Sequence, residues 1–280
     1  MRFPDISAKT GIYGVIGDPI DHSISPIIQN AAFHHARIDA VYVAFHVKKH
    51  DLKVAVEGLL ALGIRGFNVT IPHKIQIMRY LDGLDQAASI IGSVNTVVNR
   101  KGSLIGFNTD GIGALQAVGV ERLKGASVLL LGAGGAARAI AHAFAPETSR
   151  IRIMNRSITN ARRLERAIRE RYGSSISSSP LTQKSMRKFV ESAELIVNAS
   201  SMGMNGKYDP PINQRWLNSQ QTIFDIVYTP TVTTLLRNAR RAGARTIGGL
   251  EMLLNQGAAS FELWTGRSAP IREMRNKLSQ

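Results

Sequence analysis

Short runs of β-branched and aliphatic residues alternate along the chain with longer stretches whose apolar positions recur every three or four residues, the pattern of strands alternating with helices. It predicts strands over 11–17, 41–47, 66–71, 93–98, 126–132, 150–155, 194–199, 222–228 and 245–249. Over 50–62, Leu52, Val56, Leu59 and Leu60 share one helical face, and the alanine-rich stretch 135–145 is a strong helix by propensity. Strand–helix alternation of this kind builds an α/β fold with helices covering the sheet. The serine-rich stretch 174–184 reads as a surface loop, and no internal repeat is evident.

Length and composition refine this picture. A chain of 280 residues exceeds one ordinary hydrophobic core, so two domains are expected, with a boundary near 108–110. With 44% hydrophobic and 20% charged residues the chain has the composition of a folded globular protein. No apolar run approaches the roughly 20 residues that cross a bilayer, and the N-terminal segment lacks the features of a secretory signal, so a cytoplasmic protein is expected. The absence of cysteine rules out disulfides, thiolate metal sites and thiol nucleophiles.

The net charge of +15 raises the question of nucleic acid, but the excess is concentrated in 109–244, where arginines are spaced along helical stretches such as 160–172. A solvated helix face accounts for most of it, and attraction of a phosphate-bearing cofactor adds a use. No zinc-finger spacing or aromatic RNA-binding signature accompanies the charge.

The cofactor is suggested by the run from the strand at 126–132 into Gly132, Gly134 and Gly135 and then into a helix. This is G-x-G-x-x-A with Ala137 third. The first glycine permits a tight turn, the second lets backbone approach a pyrophosphate, and the small third residue keeps helix and strand close. A purely structural glycine turn is the competing reading. About 20 residues on, where an NAD site usually places an acidic residue, stand Asn155, Arg156 and Ser157. A guanidinium there grips a 2′-phosphate that a carboxylate would repel, so NADP is expected over NAD.

Four polar motifs end predicted strands: 17–26 (GDPIDHSISP), 68–74 (NVTIPHK), 93–96 (SVNT) and 107–111 (FNTDG). With NASSMGM at 198–204, DIVYTPTVTTLL at 225–236 and GGLEMLLNQGAASFELWTG at 248–266, the chain resembles the shikimate dehydrogenase family over almost its whole length. That resemblance implies an N-terminal α/β substrate domain, residues 1–108 completed by 245–280, and a Rossmann-type doubly wound NADP-binding domain at 109–244.

It further implies that Ser23 and Ser25 bind the substrate carboxylate, that Thr70, Asn95 and Gln256 hydrogen-bond ring hydroxyls, and that Tyr228 lines the site. Lys74 matches the catalytic lysine and Asp110 its acidic partner. Hydride reduction of a ketone leaves an alkoxide, and an ammonium can supply the proton it needs. Cofactor contacts carried over by the resemblance are Gly132, Ala133, Gly134, Gly135, Ala136, Asn155, Arg156, Ser157, Ser200, Met202, Ile226, Gly249 and Met252, with Met204 near the nicotinamide. Taken singly, several have plainer readings: Ser25 as a helix cap, Lys74 as a solvated lysine, Asp110 as a turn former, Gln256 as a helix-surface residue, and Met204 and Met252 as core filling.

Two departures from the family pattern stand out. Gln29 occupies a position where histidine is common, and Asn160 stands where a second basic residue is common, with Arg162 and Arg163 just beyond. The activity implied is reversible NADPH-dependent reduction of 3-dehydroshikimate to shikimate, in aromatic amino-acid biosynthesis, without metal. A quinate/shikimate dehydrogenase using NAD or NADP and a catalytically silent ligand-binding homologue remain the alternatives. The implied partner is a small-molecule substrate for a monomer or homodimer, without nucleic acid or membrane.

Overall fold

In the computed structural model, residues 6–173 and 175–278 are described; part of the N-terminal segment read for targeting, and Ser174, lie outside them. The chain divides into two units, one running to Thr109 and resuming at Leu254, the other spanning Asp110–Leu253.

The first unit contains β1 (Gly11–Gly17), α1 (Ser25–His35), β2 (Ala40–His46), α2 (Leu52–Ala61), β3 (Gly66–Val69), β4 (Gly83–Leu84), α3 (Gln86–Ile91), β5 (Thr96–Arg100) and β6 (Ser103–Phe107). Its sheet has the order β2-β1-β3-β5-β6-β4, with β1 parallel to β2 and β3 and with β5 antiparallel to both β3 and β6. Ile16, Phe67, Val69 and Val97 meet Leu52 and Val56 of α2 in one buried cluster.

The second unit contains α4 (Asp110–Val118), β7 (Ser127–Leu131), α5 (Gly135–Phe144), β8 (Arg150–Asn155), α6 (Ile158–Tyr172), β9 (Ile176–Pro180), α7 (Gln183–Glu191), β10 (Leu195–Asn198), β11 (Thr222–Asp225), α8 (Thr234–Arg241) and β12 (Arg245–Gly248). All six strands are parallel, in the order β12-β11-β10-β7-β8-β9. Numbered from its own first strand this is 3-2-1-4-5-6 read from the far edge, the doubly wound dinucleotide-binding order. The continuous apolar run of β7 follows from burial on both faces: Val128 and Leu130 join the cluster of Ile140, Phe144 and Leu164, while Leu129 and Leu131 join that of Met186, Val190 and Leu235.

The last helices, α9 (Gly249–Thr265) and α10 (Ile271–Leu278), follow β12, and the division between units falls within α9. The C-terminal part of α9 packs in the first unit through aromatic rings: Trp264 lies 5.2 Å from Tyr13 and 5.9 Å from Tyr42, and Phe261 lies 5.5 Å from Phe33, centroid to centroid. Trp264 Nε1 donates to the Val97 carbonyl at 2.9 Å. A Cβ at Gly66 would sit 2.4 Å from that indole nitrogen, so a glycine in β3 is what admits the ring.

Three expectations change. The stretch at 174–184 contains β9, an edge strand paired with β8 and then the start of α7, because Ile176 buries its side chain while serine hydroxyls and Pro180 are tolerated at a sheet edge. β4 and β6 were not anticipated, and the strand expected at 93–98 begins at Thr96. Residues 245–253 belong to the second unit, since β12 hydrogen-bonds to β11, and the return to the first unit begins at Leu254.

Candidate active site

In the first unit, Ser25 opens α1 with Pro26 behind it, and no side chain hydrogen-bonds as a cap there, so the reading of Ser25 as a helix cap is not met. The Ser25 amide donates to Ser23 Oγ at 3.4 Å, holding the two serines in one turn before a helix N-terminus, a setting suited to an anion. Thr70 follows β3; its amide donates to the Ile16 carbonyl and its own carbonyl accepts from His73. A Cβ on Gly17 would meet Thr70 Cγ2 at 2.5 Å, so this approach requires the glycine of the 17–26 motif.

Lys74 is fixed through its backbone. Its carbonyl accepts from the Val94 amide at 2.8 Å, tying the lysine to the segment that carries Asn95, while the buried His73 ring hydrogen-bonds through Nε2 with the Val47 carbonyl at 2.6 Å. The Lys74 side chain is half-buried.

Asn95 belongs to a buried polar network. Its Oδ1 accepts from the Thr109 amide at 2.7 Å and from Thr96 Oγ1, and its Nδ2 donates to Thr109 Oγ1 and to Gln256 Oε1 at 3.1 Å. Asn68 Nδ2 donates to the Asn95 carbonyl, Thr96 Oγ1 and Ser260 Oγ, while Asn68 Oδ1 accepts from the Tyr42 hydroxyl at 2.7 Å. Ser260 Oγ in turn donates to the Gln256 carbonyl at 2.9 Å. Amide oxygens and nitrogens so engaged cannot rotate without breaking bonds that water does not replace, so Asn95 and Gln256 are held in fixed orientations. Gln256 is therefore no helix-surface residue. Sequence reading missed Tyr42, Asn68, Thr96, Thr109 and Ser260; the one available signal was Asn68, a polar residue inside the fully buried strand β3.

In the second unit, β7 leads into Gly132 with φ 117°, where a Cβ would lie 2.7 Å from the Ala199 carbonyl oxygen. Only glycine serves there. Gly134 precedes α5 without a side-chain cap, no atom lies within 4 Å of where its Cβ would be, and Ala137 is fully buried against the strand. The first-turn amides of α5 and the open approach over Gly134 fit a dinucleotide pyrophosphate. Ala133 is buried, and Gly135 and Ala136 are half-buried beside it. At the end of β8, Asn155 Nδ2 donates to the Ser157 carbonyl, Ser157 Oγ caps α6 through the Asn160 amide, and Arg156 is exposed. Asn160 thus contributes its backbone to the cap.

Ser200 and Met202 are organised by Asn198: Asn198 Oδ1 accepts from the Ser200 hydroxyl at 2.7 Å, and its Nδ2 donates to the Met202 carbonyl and to Asp225 Oδ1. Asp225, fully buried, also accepts from Val227 N and from Thr233 Oγ1 at 2.7 Å. Burial outweighs these hydrogen bonds and raises its pKa to about 6, with nearby Asp209 adding to the rise. Neither Asn198 nor Asp225 was anticipated. A Cβ on Gly249 would meet the Ile226 carbonyl oxygen at 2.3 Å, so these two residues are in close contact. Met252 is buried in the core cluster, Met204 is half-buried, Tyr228 is half-buried, and Asp110 is a buried first residue of α4.

Of the anticipated residues, then, Ser23, Ser25, Thr70, Lys74, Asn95 and Gln256 are placed in the first unit, and Asp110, Tyr228 and the nucleotide-turn residues in the second. A doubly wound parallel sheet with this glycine turn, joined in one chain to a unit bearing a lysine and a fixed amide pair, defines the class of two-domain nucleotide-dependent oxidoreductases.

Comparison with known proteins narrows the class. The family model for the shikimate dehydrogenase substrate binding domain matches residues 15–97, that for shikimate / quinate 5-dehydrogenase matches 114–246, and that for the shikimate 5′-dehydrogenase C-terminal domain matches 249–278. The shikimate dehydrogenase (NADP(+)) of Methanocaldococcus jannaschii is 42% identical over 98% of this chain and 98% of its own length. That of Pyrococcus furiosus is 44% identical over 96% of each. A crystal structure of a shikimate dehydrogenase in complex with NADP+ superposes with a TM-score of 0.89 at 41% identity, covering 98% of this chain and 96% of that one. The chain belongs to the shikimate dehydrogenase family.

Proposed function

We propose that the protein catalyses the reversible NADPH-dependent reduction of 3-dehydroshikimate to shikimate, a step of aromatic amino-acid biosynthesis. The first unit serves as the substrate domain and Asp110–Leu253 as the NADP domain. The observation that supports the reading is the hydrogen bond that ties the Lys74 carbonyl to Val94, the residue before Asn95, whose amide is bonded to Gln256. The backbone of the proposed proton donor is thus joined to the chain next to the amide pair proposed to recognise a polyol.

Ser23 and Ser25 hold the substrate carboxylate at the start of α1. Thr70, Asn95, Gln256 and Tyr228 orient the ring through its hydroxyls. NADPH, when bound, supplies the hydride. Lys74 Nζ gives a proton to the oxygen that becomes the alcohol and takes it back in the reverse direction. Asp110 is assigned as the carboxylate that stabilises the Lys74 ammonium. The α5 N-terminus with Gly132–Gly135 holds the pyrophosphate, and Arg156, with Asn155 and Ser157, holds the adenosine 2′-phosphate. Ala133, Ala136, Ser200, Met202, Ile226, Gly249 and Met252 complete the cofactor contacts. The protein acts on a small molecule as a cytoplasmic monomer or homodimer; among the described residues, no helix is long and apolar enough to cross a membrane.

The test is the appearance of reduced cofactor with shikimate or quinate, each with NADP+ or NAD+. Shikimate with NADP+ is expected to be the best pair, and Lys74→Ala to lower turnover by a factor on the order of 10²–10⁴. A clear preference for quinate, or undiminished turnover in Lys74→Ala, would overturn the assignment.

A further inference from the structure

Gln29 lies on α1, one turn after Ser25 and on the same side of the helix, since residues four apart stack along a helix face. It is fully buried, and its Nε2 donates to the Gly257 carbonyl at 2.8 Å. Gly257 faces α1 at short range: a Cβ there would lie 3.1 Å from Ile28 Cδ1, 3.3 Å from Gln29 Nε2 and 3.7 Å from Met274 Cε. The carbonyl that Gln29 holds belongs to the residue directly after Gln256.

From the other side the same stretch of α9 is held by the sheet, through Asn95 to Gln256 Oε1 and through Asn68 and Thr96 to Ser260. The position of Gln256 is thus fixed between two supports, one on the sheet and one on α1. Stability does not account for an amide at position 29. Gln29 Oε1 is buried with no hydrogen-bond partner among the described residues, and burying an unpartnered carbonyl costs more than one neutral hydrogen bond contributes. An apolar side chain of the same length would fill the space without that penalty.

We infer that Gln29 is a positioning residue for substrate binding: its buried amide sets α9 against α1 and so fixes the spacing between the Ser25 hydroxyl and the Gln256 amide. The assignment rests on the proposed function, in which those two groups bind the carboxylate and the ring hydroxyls of one substrate. Of the proposed cofactor contacts only Gly249 and Met252 lie on α9, so most of them are not carried on this tie.

The experiment compares wild type, Gln29→Met and Gln29→His by steady-state kinetics with shikimate and NADP+, together with thermal unfolding. Methionine keeps the length and removes the donor, and histidine restores an N–H. Gln29→Met is expected to raise KM for shikimate on the order of tenfold, the loss of about one well-placed contact. KM for NADP+ should stay within about twofold and the unfolding midpoint should not fall, because the unpartnered carbonyl has gone. Gln29→His should recover most of the shikimate KM. An active wild type whose Gln29→Met variant keeps its shikimate KM overturns the role of Gln29 alone. So does a variant in which both KM values and the midpoint deteriorate together, which marks a purely structural residue. A wild type inactive on shikimate overturns the functional reading, and the role of Gln29 with it.

Discussion

Replacing Asp225 by Asn should make the protein more stable at neutral pH than at acid pH relative to wild type. The carboxyl is fully buried, and its pKa is raised from 3.8 to about 6, chiefly by burial. Between these two values the folded state holds a proton that the unfolded state has released, so the native protein loses stability as pH rises through this window. A displacement of this size corresponds to about 3 kcal/mol when complete, of which roughly half is already present at pH 5 and nearly all at pH 8. The Asn side chain keeps an acceptor for Asn198 and Val227, and the Thr233 hydroxyl, which now donates at 2.7 Å, can accept instead. Urea unfolding of wild type and variant at pH 5 and pH 8, followed by a probe in the second unit, reads the effect directly. The stability of Asp225→Asn minus that of wild type should grow by about 1–1.5 kcal/mol between the two pH values. Other titrating groups cancel in this difference. A gap that is constant or narrows with pH would refute the argument that desolvation dominates over the three hydrogen bonds.

Further predictions concern the remaining residues. His142 is buried, with its pKa lowered to about 4 by burial and by Arg138 and Arg171; its folded pKa below the unfolded 6.5 makes stability fall as pH drops from about 6.5 to 4, and His142→Gln should flatten that limb of a pH–unfolding curve. Arg156→Ala should raise KM for NADP+ about tenfold or more without changing KM for shikimate, as expected for one lost charge-assisted phosphate contact; an unchanged NADP+ KM removes Arg156 from the site. Lys74→Ala should lower kcat by a factor on the order of 10²–10⁴, the usual contribution of a positioned acid, while calorimetric binding of NADP+ stays intact. Gly132→Ala puts a Cβ 2.7 Å from the Ala199 oxygen at φ 117°, so cofactor affinity and stability should fall together, in contrast to Arg156→Ala.

What the sequence revealed and what it concealed follows from the range of the interactions. β1, β8 and the turn at Gly132 were readable because periodicity, β-branching and glycine punctuation act over a few residues. β9 was misread because its serines carry the composition of a loop, and only the neighbour β8 makes them a strand. The end of the second unit was misplaced because nothing local distinguishes 245–248 as an edge strand of one sheet from a strand of the other. The polar network was invisible for the same reason: Asn68 and Ser260 meet across 192 positions, and neither has a sequence neighbour that announces the partner. Ser25, Lys74 and Gln256 were proposed through motif resemblance; the contacts that hold them in the fold, from Ser23, Val94, Asn95 and Ser260, are not written in it.

The first unit is closed by a helix that the chain reaches only after the whole of the second unit has been made. On the ribosome, therefore, the strands bearing Asn68 and Thr96 emerge well before Ser260, and at 5–20 residues per second the delay is on the order of ten seconds. During that interval Gly66 has no indole against it and the amide of Asn68 lacks one of its acceptors. The half of the protein that is translated first is thus the half that matures last, and its nascent form is the species that chaperones would meet.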